Sequence, residues 1–182
     1  MKRINIEIKA RCQNPGEIRN ILRTKNAIYR GKDHQIDTYF KTNNGRLKLR
    51  EGKIENYLIY YERKKKKGPK QSDVILYKAE PYSCLKEILI KAFGIMVVVY
   101  KQREIYFIKN VKFHLDKVKQ LGSFVEIEAG DERRNIGKEK LLKQCNYYLR
   151  LFKISRKDLI SESYSDLLLN KIGSWPVEEN RA

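Results

Sequence analysis

Asn5-Ile6-Glu7-Ile8-Lys9 carries a polar or charged side chain at every second position, with isoleucine between. Successive side chains of a β-strand point to opposite faces. Asn5, Glu7 and Lys9 therefore share one face, and Ile6 and Ile8 the other. Three further stretches repeat the pattern: Arg46-Leu47-Lys48-Leu49-Arg50, His114-Leu115-Asp116 and Glu126-Ile127-Glu128. Polar-out alternation by itself marks any half-exposed strand. Here the polar faces are sorted by sign, wholly basic at 46–50 and wholly acidic at 126–128. Gathered on the inside of one closed sheet, they would line a cavity with carboxylates and cations together. Such a cavity suits a metal ion accompanied by a highly anionic ligand.

The chain has 182 residues, enough for one domain with its own core. With 41% hydrophobic and 34% charged residues it is not a disordered chain. Forty Lys and Arg against 22 Asp and Glu leave a net charge of +18. That excess points to an anionic partner: nucleotide, polyphosphate, nucleic acid or an acidic membrane surface. Cys12, Cys84 and Cys145 fit neither a zinc spacing nor a disulfide framework and read as buried free thiols in a reducing compartment. Strand-like alternation begins directly after Met1, which does not resemble a signal peptide. The apolar run at 95–99 is too short to span a bilayer. The expected product is soluble and cytoplasmic, with no membrane partner, as a monomer or homodimer.

Periodicity predicts a first strand over 2–11 and a helix from Asn14-Pro15 to about Lys25. Strands follow at 35–42, 45–51, 55–64 and 73–79, with Asn43-Asn44-Gly45 and Gly52-Lys53 as hairpin signals. A second helix over 83–93 ends at Gly94, and strands resume at 95–101, 104–109, 111–118 and 123–129. Helices at 135–152 and 163–169 complete the count. Eight or nine sequential antiparallel strands can close into a barrel. Lys64 to Lys67, followed by Gly68-Pro69, reads as a solvated loop or as a lid that steers polyanions. Residues 1–172 are expected to form a single domain, and 173–182 a disordered tail.

Several ordered motifs resemble the CYTH domain, part of the triphosphate tunnel metalloenzyme superfamily, and within it the class IV adenylyl cyclase-like branch. They are the stretch 5–11, Gln35-Ile36-Asp37-Thr38-Tyr39-Phe40, the run 46–51, Tyr61-Glu62-Arg63, Lys101-Gln102-Arg103 and 114–128. The resemblance covers residues 4 to about 170 and implies an α+β fold. That fold is an eight-stranded closed antiparallel β-barrel, the triphosphate tunnel, with helices packed on the outside. It also implies divalent metal, Mg²⁺ or Mn²⁺, held by glutamates that match Glu7, Glu126 and Glu128. Phosphate ligands would come from Lys9, Arg46, Lys48, Arg50, Arg63, Lys101 and Arg103. Catalytic contact would fall to Glu7, Lys9 and Asp116, the last as a further metal-shell group or as the orienter of a basic residue. The family opens on Glu-x-Glu-x-Lys; Asn5 here replaces the first Glu and brings no charge.

Three functions compete on these residues. The first is metal-dependent hydrolysis of inorganic, nucleoside or organic triphosphates. The second is class IV-type cyclisation of ATP to cyclic AMP and pyrophosphate. The third is binding of nucleotide, polyphosphate or RNA without turnover, which Asn5 and the basic surface favour.

Overall fold

The computed structural model describes residues 2–131 and 136–173. Strands β1 (Lys2–Arg11), β2 (Ile28–Phe40), β3 (Arg46–Glu51), β4 (Tyr57–Arg63), β5 (Lys70–Lys78), β6 (Ile95–Ile108), β7 (Val111–Val118) and β8 (Gly122–Asp131) form one sheet. It closes on itself in the order β1-β5-β4-β3-β2-β6-β7-β8, every pairing antiparallel. Closure leaves no exposed edge to template association. The hairpin between β2 and β3 turns at Gly45, whose φ of +66° suits glycine. A Cβ there would stand 2.6 Å from the Tyr60 ring.

Two strands differ from the expectation. β2 starts at Ile28, seven residues before the predicted 35, because a register shift between Tyr29 and Gly31 breaks the alternation without ending the pairing. The segments predicted at 95–101 and 104–109 are one 14-residue strand. The polar run Lys101-Gln102-Arg103 stays in the ladder because the lumen accepts its charges.

Helices α1 (Pro15–Thr24), α2 (Leu85–Phe93), α3 (Lys138–Leu151) and α4 (Tyr164–Gly173) fill the connections. Asn14 caps α1 through Glu17 N–H, ahead of Pro15. Its Ile18 and Leu22, with Leu141 and Cys145 of α3, cover the outer face of β1, β7 and β8: Ile6, Ile8, Phe113, Leu115, Val125 and Ile127. Leu89 of α2 covers Leu49 and Phe40, with Leu47 partly buried beside them. Ile6, Ile8, Leu47, Leu49, Val125 and Ile127 among these are the residues whose alternation predicts an outward apolar face.

The fourth helix behaves differently. Tyr164 and Leu168, with Ile160, pack on Tyr39, Ile59, Val74, Val97, Val99, Val118 and Phe124. All of these share strand parity with the charged inner residues. α4 therefore fills one end of the lumen with hydrocarbon instead of lying on the outside. It is started by a capping box: Asp166 N–H donates to Ser163 Oγ, and Ser163 N–H donates to Asp166 Oδ2, each at 3.1 Å.

Cys12 and Cys145 are buried thiols, but Cys84 is exposed, because α2 rests on the barrel mainly through Leu89. The expectation for a disordered tail falls, from 174 on, outside the described residues, as does Asn135 at the predicted start of α3. Among the described residues no helix is long and apolar enough to cross a membrane.

Candidate active site

Strand register decides which charges meet. β1 and β8 set Glu7 beside Glu128 and Lys9 beside Glu126. β7 and β8 set Lys112 beside Glu128 and His114 beside Glu126, and β6 sets Arg103 beside Asp116. On the far wall β2 and β3 set Asp37 beside Arg50 and Tyr39 beside Lys48. The result is a cavity of about 390 Å³ inside the barrel. Seven cationic side chains line it (Lys9, Arg30, Lys48, Arg50, Arg63, Arg103 and Lys112), against the four carboxylates of Glu7, Glu55, Glu126 and Glu128. Among the lining side chains, cations therefore outnumber carboxylates.

Two ion-pair networks share this space. In the first, Asp37 is fully buried and holds three cations: Arg50 through bonds of 2.8 and 3.0 Å, Lys48 at 2.9 Å and Lys101 at 2.6 Å. Arg50 also donates to Glu55 at 2.8 Å, and Lys112 reaches Glu55 from β7. Burial would raise the Asp37 carboxyl, but Arg50, Lys101 and Lys48 overcome it and hold it well below the ordinary range. One carboxylate cannot offset three buried ammonium and guanidinium groups. Burial therefore wins at Lys101, whose pKa falls well below the ordinary lysine value, with Arg50 and Arg103 adding to the fall against Asp37.

In the second network Arg103 donates to both oxygens of Asp116, at 2.7 and 2.5 Å, and to Glu126 at 2.7 Å. Lys9 pairs with Glu126 at 2.5 Å, and His114 Nδ1 lies 3.2 Å from Glu126 and 3.6 Å from Glu128. Burial favours the neutral form of Glu126, yet Lys9 and Arg103 keep it ionised well below its usual range. Burial lowers Lys9, partly opposed by Glu126. Burial and then Arg103 lower His114, which is neutral at pH 7. Tyr164 from α4 closes this end: its hydroxyl donates to Asp116 at 2.8 Å, and Lys9 Nζ sits 3.5 Å from its ring centroid.

A model of the CYTH domain family matches residues 3–164. The chain belongs to the CYTH domain family. It is 26% identical over 172 residues to a Methanocaldococcus jannaschii protein named as a candidate adenylate cyclase, covering 90% of this chain and 98% of that one. The fold matches the PH1012 protein of Pyrococcus horikoshii with a TM-score of 0.75 at 24% identity, over 90% of this chain and 98% of that chain. It also matches a Hippeastrum protein described as a candidate adenylyl cyclase with a dominant triphosphatase activity. There the TM-score is 0.60 at 13% identity, over 97% and 99% of the two chains.

CYTH tunnels imply a divalent metal, and this lumen can be tested for one. His114, Glu126 and Glu128 each offer a ligand atom, all within 4.8 Å of one another. Asn5, two residues before Glu7, buries its side-chain oxygen with no hydrogen-bond partner among the described residues. A buried acceptor left in that state costs about 1–3 kcal/mol, so it favours a donor or cation close by. Oxygen donors with one imidazole fit a hard or borderline divalent ion.

The sequence-predicted residues separate into three groups. Glu7, Lys9, Lys48, Arg50, Arg63, Arg103, Glu126 and Glu128 line the cavity together. Lys101 and Asp116 lie behind it, fully buried, holding Asp37 and Arg103. Arg46 is outside the tunnel lining and pairs with Asp166 of α4 at 2.7 Å. Glu7 does not join the His114–Glu126–Glu128 group; Arg63 holds its carboxylate. The sequence alone gives no role to Asp37, Glu55, Lys112 or Tyr164. Asp37 and Lys112 carry the period-2 signal, in Asp33-x-Gln35-x-Asp37 and Lys112-x-His114-x-Asp116. Glu55 carries none, because it sits in the turn between β3 and β4. Asp33 holds that turn by accepting Lys53 N–H at 2.8 Å and Glu55 N–H at 3.1 Å. Gly52 is needed there, since a Cβ would come within 2.4 Å of Asp33 Oδ2.

Proposed function

We propose that the tunnel binds the phosphate chain of an inorganic or organic triphosphate and hydrolyses it with a divalent ion, Mg²⁺ or Mn²⁺. The carrying observation is the single cavity in which seven cations face four carboxylates, with His114, Glu126 and Glu128 drawn together on one wall. A triphosphate carries about four negative charges and must exchange its water for fixed cations to enter a closed lumen.

Arg50, Lys48 and Arg63 meet the phosphate oxygens from the wall opposite the metal-ligand group. Asp37 behind them holds Arg50 and Lys48 in position, so little side-chain order is lost on binding. Asp116 does the same for Arg103, accepting from Nε and Nη2 so that Nη2 also reaches Glu126. Lys9 and Arg103 neutralise charge on the phosphoryl group beside Glu126. Glu126, Glu128 and His114, with Glu7 and the Asn5 oxygen nearby, would hold the metal. A divalent ion held there would supply Lewis-acid polarisation of a phosphoryl oxygen and a more acidic water. Catalysis of this type rests on positioning and charge.

The name of the M. jannaschii relative favours a second reading, cyclisation of ATP with release of pyrophosphate. Asn5 in place of a carboxylate favours a third, binding without turnover. Purified protein incubated with tripolyphosphate, ATP or thiamine triphosphate and Mg²⁺ or Mn²⁺ separates them. Orthophosphate release that stops with chelator is the expected result. Cyclic AMP with pyrophosphate would replace the first reading by the second, and tight binding without products by the third.

A further inference from the structure

A second basic cavity lies beside the plugged end of the barrel, between the 64–69 loop, the start of α3 and the start of α4. It measures about 1050 Å³, against about 390 Å³ for the tunnel, and seven lysine and arginine side chains line it against three carboxylates. Its wall includes Arg63 and Ser163, which also line the tunnel.

We propose that this cleft is a second polyanion site, which holds a chain of condensed inorganic phosphate longer than a triphosphate. Its carboxylates are already committed: Asp166 to Arg46 and the α4 cap, Asp73 to Gln71, and Glu62 to Tyr60. Of its cations, Arg46 is held by Asp166, Arg63 by Glu7 and Lys70 by backbone carbonyls, but the lysines of the loop are not held. Lys64, Lys65 and Lys66 are exposed and form no ion pair among the described residues. The loop that carries them is anchored: the buried Lys70 ammonium donates to the carbonyls of Ile160 and Ser161 at 3.2 Å and of Lys66 at 3.5 Å. The lysines therefore project from a fixed base into a wide cavity whose own acids cannot neutralise them.

The lining argues for phosphate without bases. Sites for single-stranded nucleic acid pair a basic groove with aromatic faces for stacking. The one aromatic residue of this lining, Tyr61, is 8% exposed and packed in the plugged end. Lysine ammonium groups meet phosphate as point charges and need no planar partner.

This inference stands apart from the tunnel reading, and its test keeps the two separable. Binding of long-chain inorganic polyphosphate is measured by fluorescence anisotropy across a salt series, for the wild type and for a Lys64→Ala/Lys65→Ala/Lys66→Ala variant. Tripolyphosphate binding is followed by calorimetry on both. The variant is expected to bind polyphosphate about tenfold more weakly at low salt, with a shallower salt slope, and tripolyphosphate as before. Equal polyphosphate affinity in the two proteins would overturn the proposal. So would poly-uridylate competing as strongly, per phosphate, as polyphosphate itself. If neither protein binds tripolyphosphate while the polyphosphate difference remains, the tunnel reading falls and the cleft stands.

Discussion

Inside the barrel, the half that carries Glu7, Glu126, Arg103 and His114 is filled with ion pairs, whereas the half that carries Val97, Val99, Val118 and Phe124 is filled with hydrocarbon from α4. The same strands build both. Val99 precedes Arg103 on β6 by four residues, Phe124 precedes Glu126 on β8 by two, and Val118 follows Asp116 on β7 by two. The boundary runs through Tyr164, which offers its ring to Lys9 and its hydroxyl to Asp116. The contrast teaches what a dry wall does to neighbouring charge. Desolvating an ion costs several kcal/mol, which only close partners offset. Next to the plug, then, the charges are held in tight networks, and the surplus cation Lys101 has its pKa driven down.

The largest expected effect comes from breaking the charged half. Arg103→Ala leaves Asp116 and Glu126 without their guanidinium, and stability should drop by about 3–5 kcal/mol in urea unfolding. An unchanged midpoint would mean that these pairs are solvated, and the contrast between the halves would dissolve.

Next comes Glu128→Gln, expected to cut tripolyphosphate turnover about 100- to 1000-fold while leaving the unfolding midpoint close to wild type. Glu126 shares its face of β8 with Glu128, and on alternation alone Glu126→Gln would be equally benign. The structure argues otherwise, because Glu126 is the counter-ion of Lys9 and Arg103. Glu126→Gln should therefore lose both activity and stability.

In the apolar half, Leu168→Ala should cost about 2–3 kcal/mol through the cavity it leaves. The two halves should differ in pH response. Asp37 and Glu126 are held well below their ordinary 3.8 and 4.5, so each binds fewer protons folded than unfolded. Their contribution is complete above those ordinary values and fades as pH falls through the lowered ones. The wild-type midpoint should therefore begin to fall as pH drops below about 6.5, where an unfolded imidazole takes up the proton that buried His114 resists, and fall further below about pH 4, where Asp37 and Glu126 lose their contribution. The loss from Leu168→Ala should be the same at every pH. A pH-dependent loss in that variant would show that the plug and the ion pairs are one cooperative unit.

The smallest effect is expected at Asn5. Asn5→Glu adds a carboxylate beside Glu7 and should tighten Mn²⁺ or Mg²⁺ binding by about tenfold in calorimetry, with a slight loss of stability when metal is absent. Unaltered metal affinity would remove Asn5 from the metal environment and leave its buried oxygen to a phosphate-bound proton or water.

Much of this architecture can be read from local pattern alone. Period-2 alternation places Glu7 with Lys9, Lys48 with Arg50 and Glu126 with Glu128 on common faces, and the apolar partners Ile6, Ile8, Val125 and Ile127 on the other. Given one sheet with one buried ionic face, closure around an ionic lumen follows, because no other surface could satisfy both faces. Local pattern does not say which charge meets which. The pairing of Glu7 with Arg63 joins β1 to β4, and that of Glu55 with Lys112 crosses from a turn to β7. Nor does it say that α4 turns inward while α1, α2 and α3 lie outside, since an amphipathic helix has the same spacing against either surface. Those outcomes depend on closure between β1 (Lys2–Arg11) and β8 (Gly122–Asp131), which are far apart in the sequence. Only the folded chain brings these segments within ångströms, and only there does burial decide which charges must be paired.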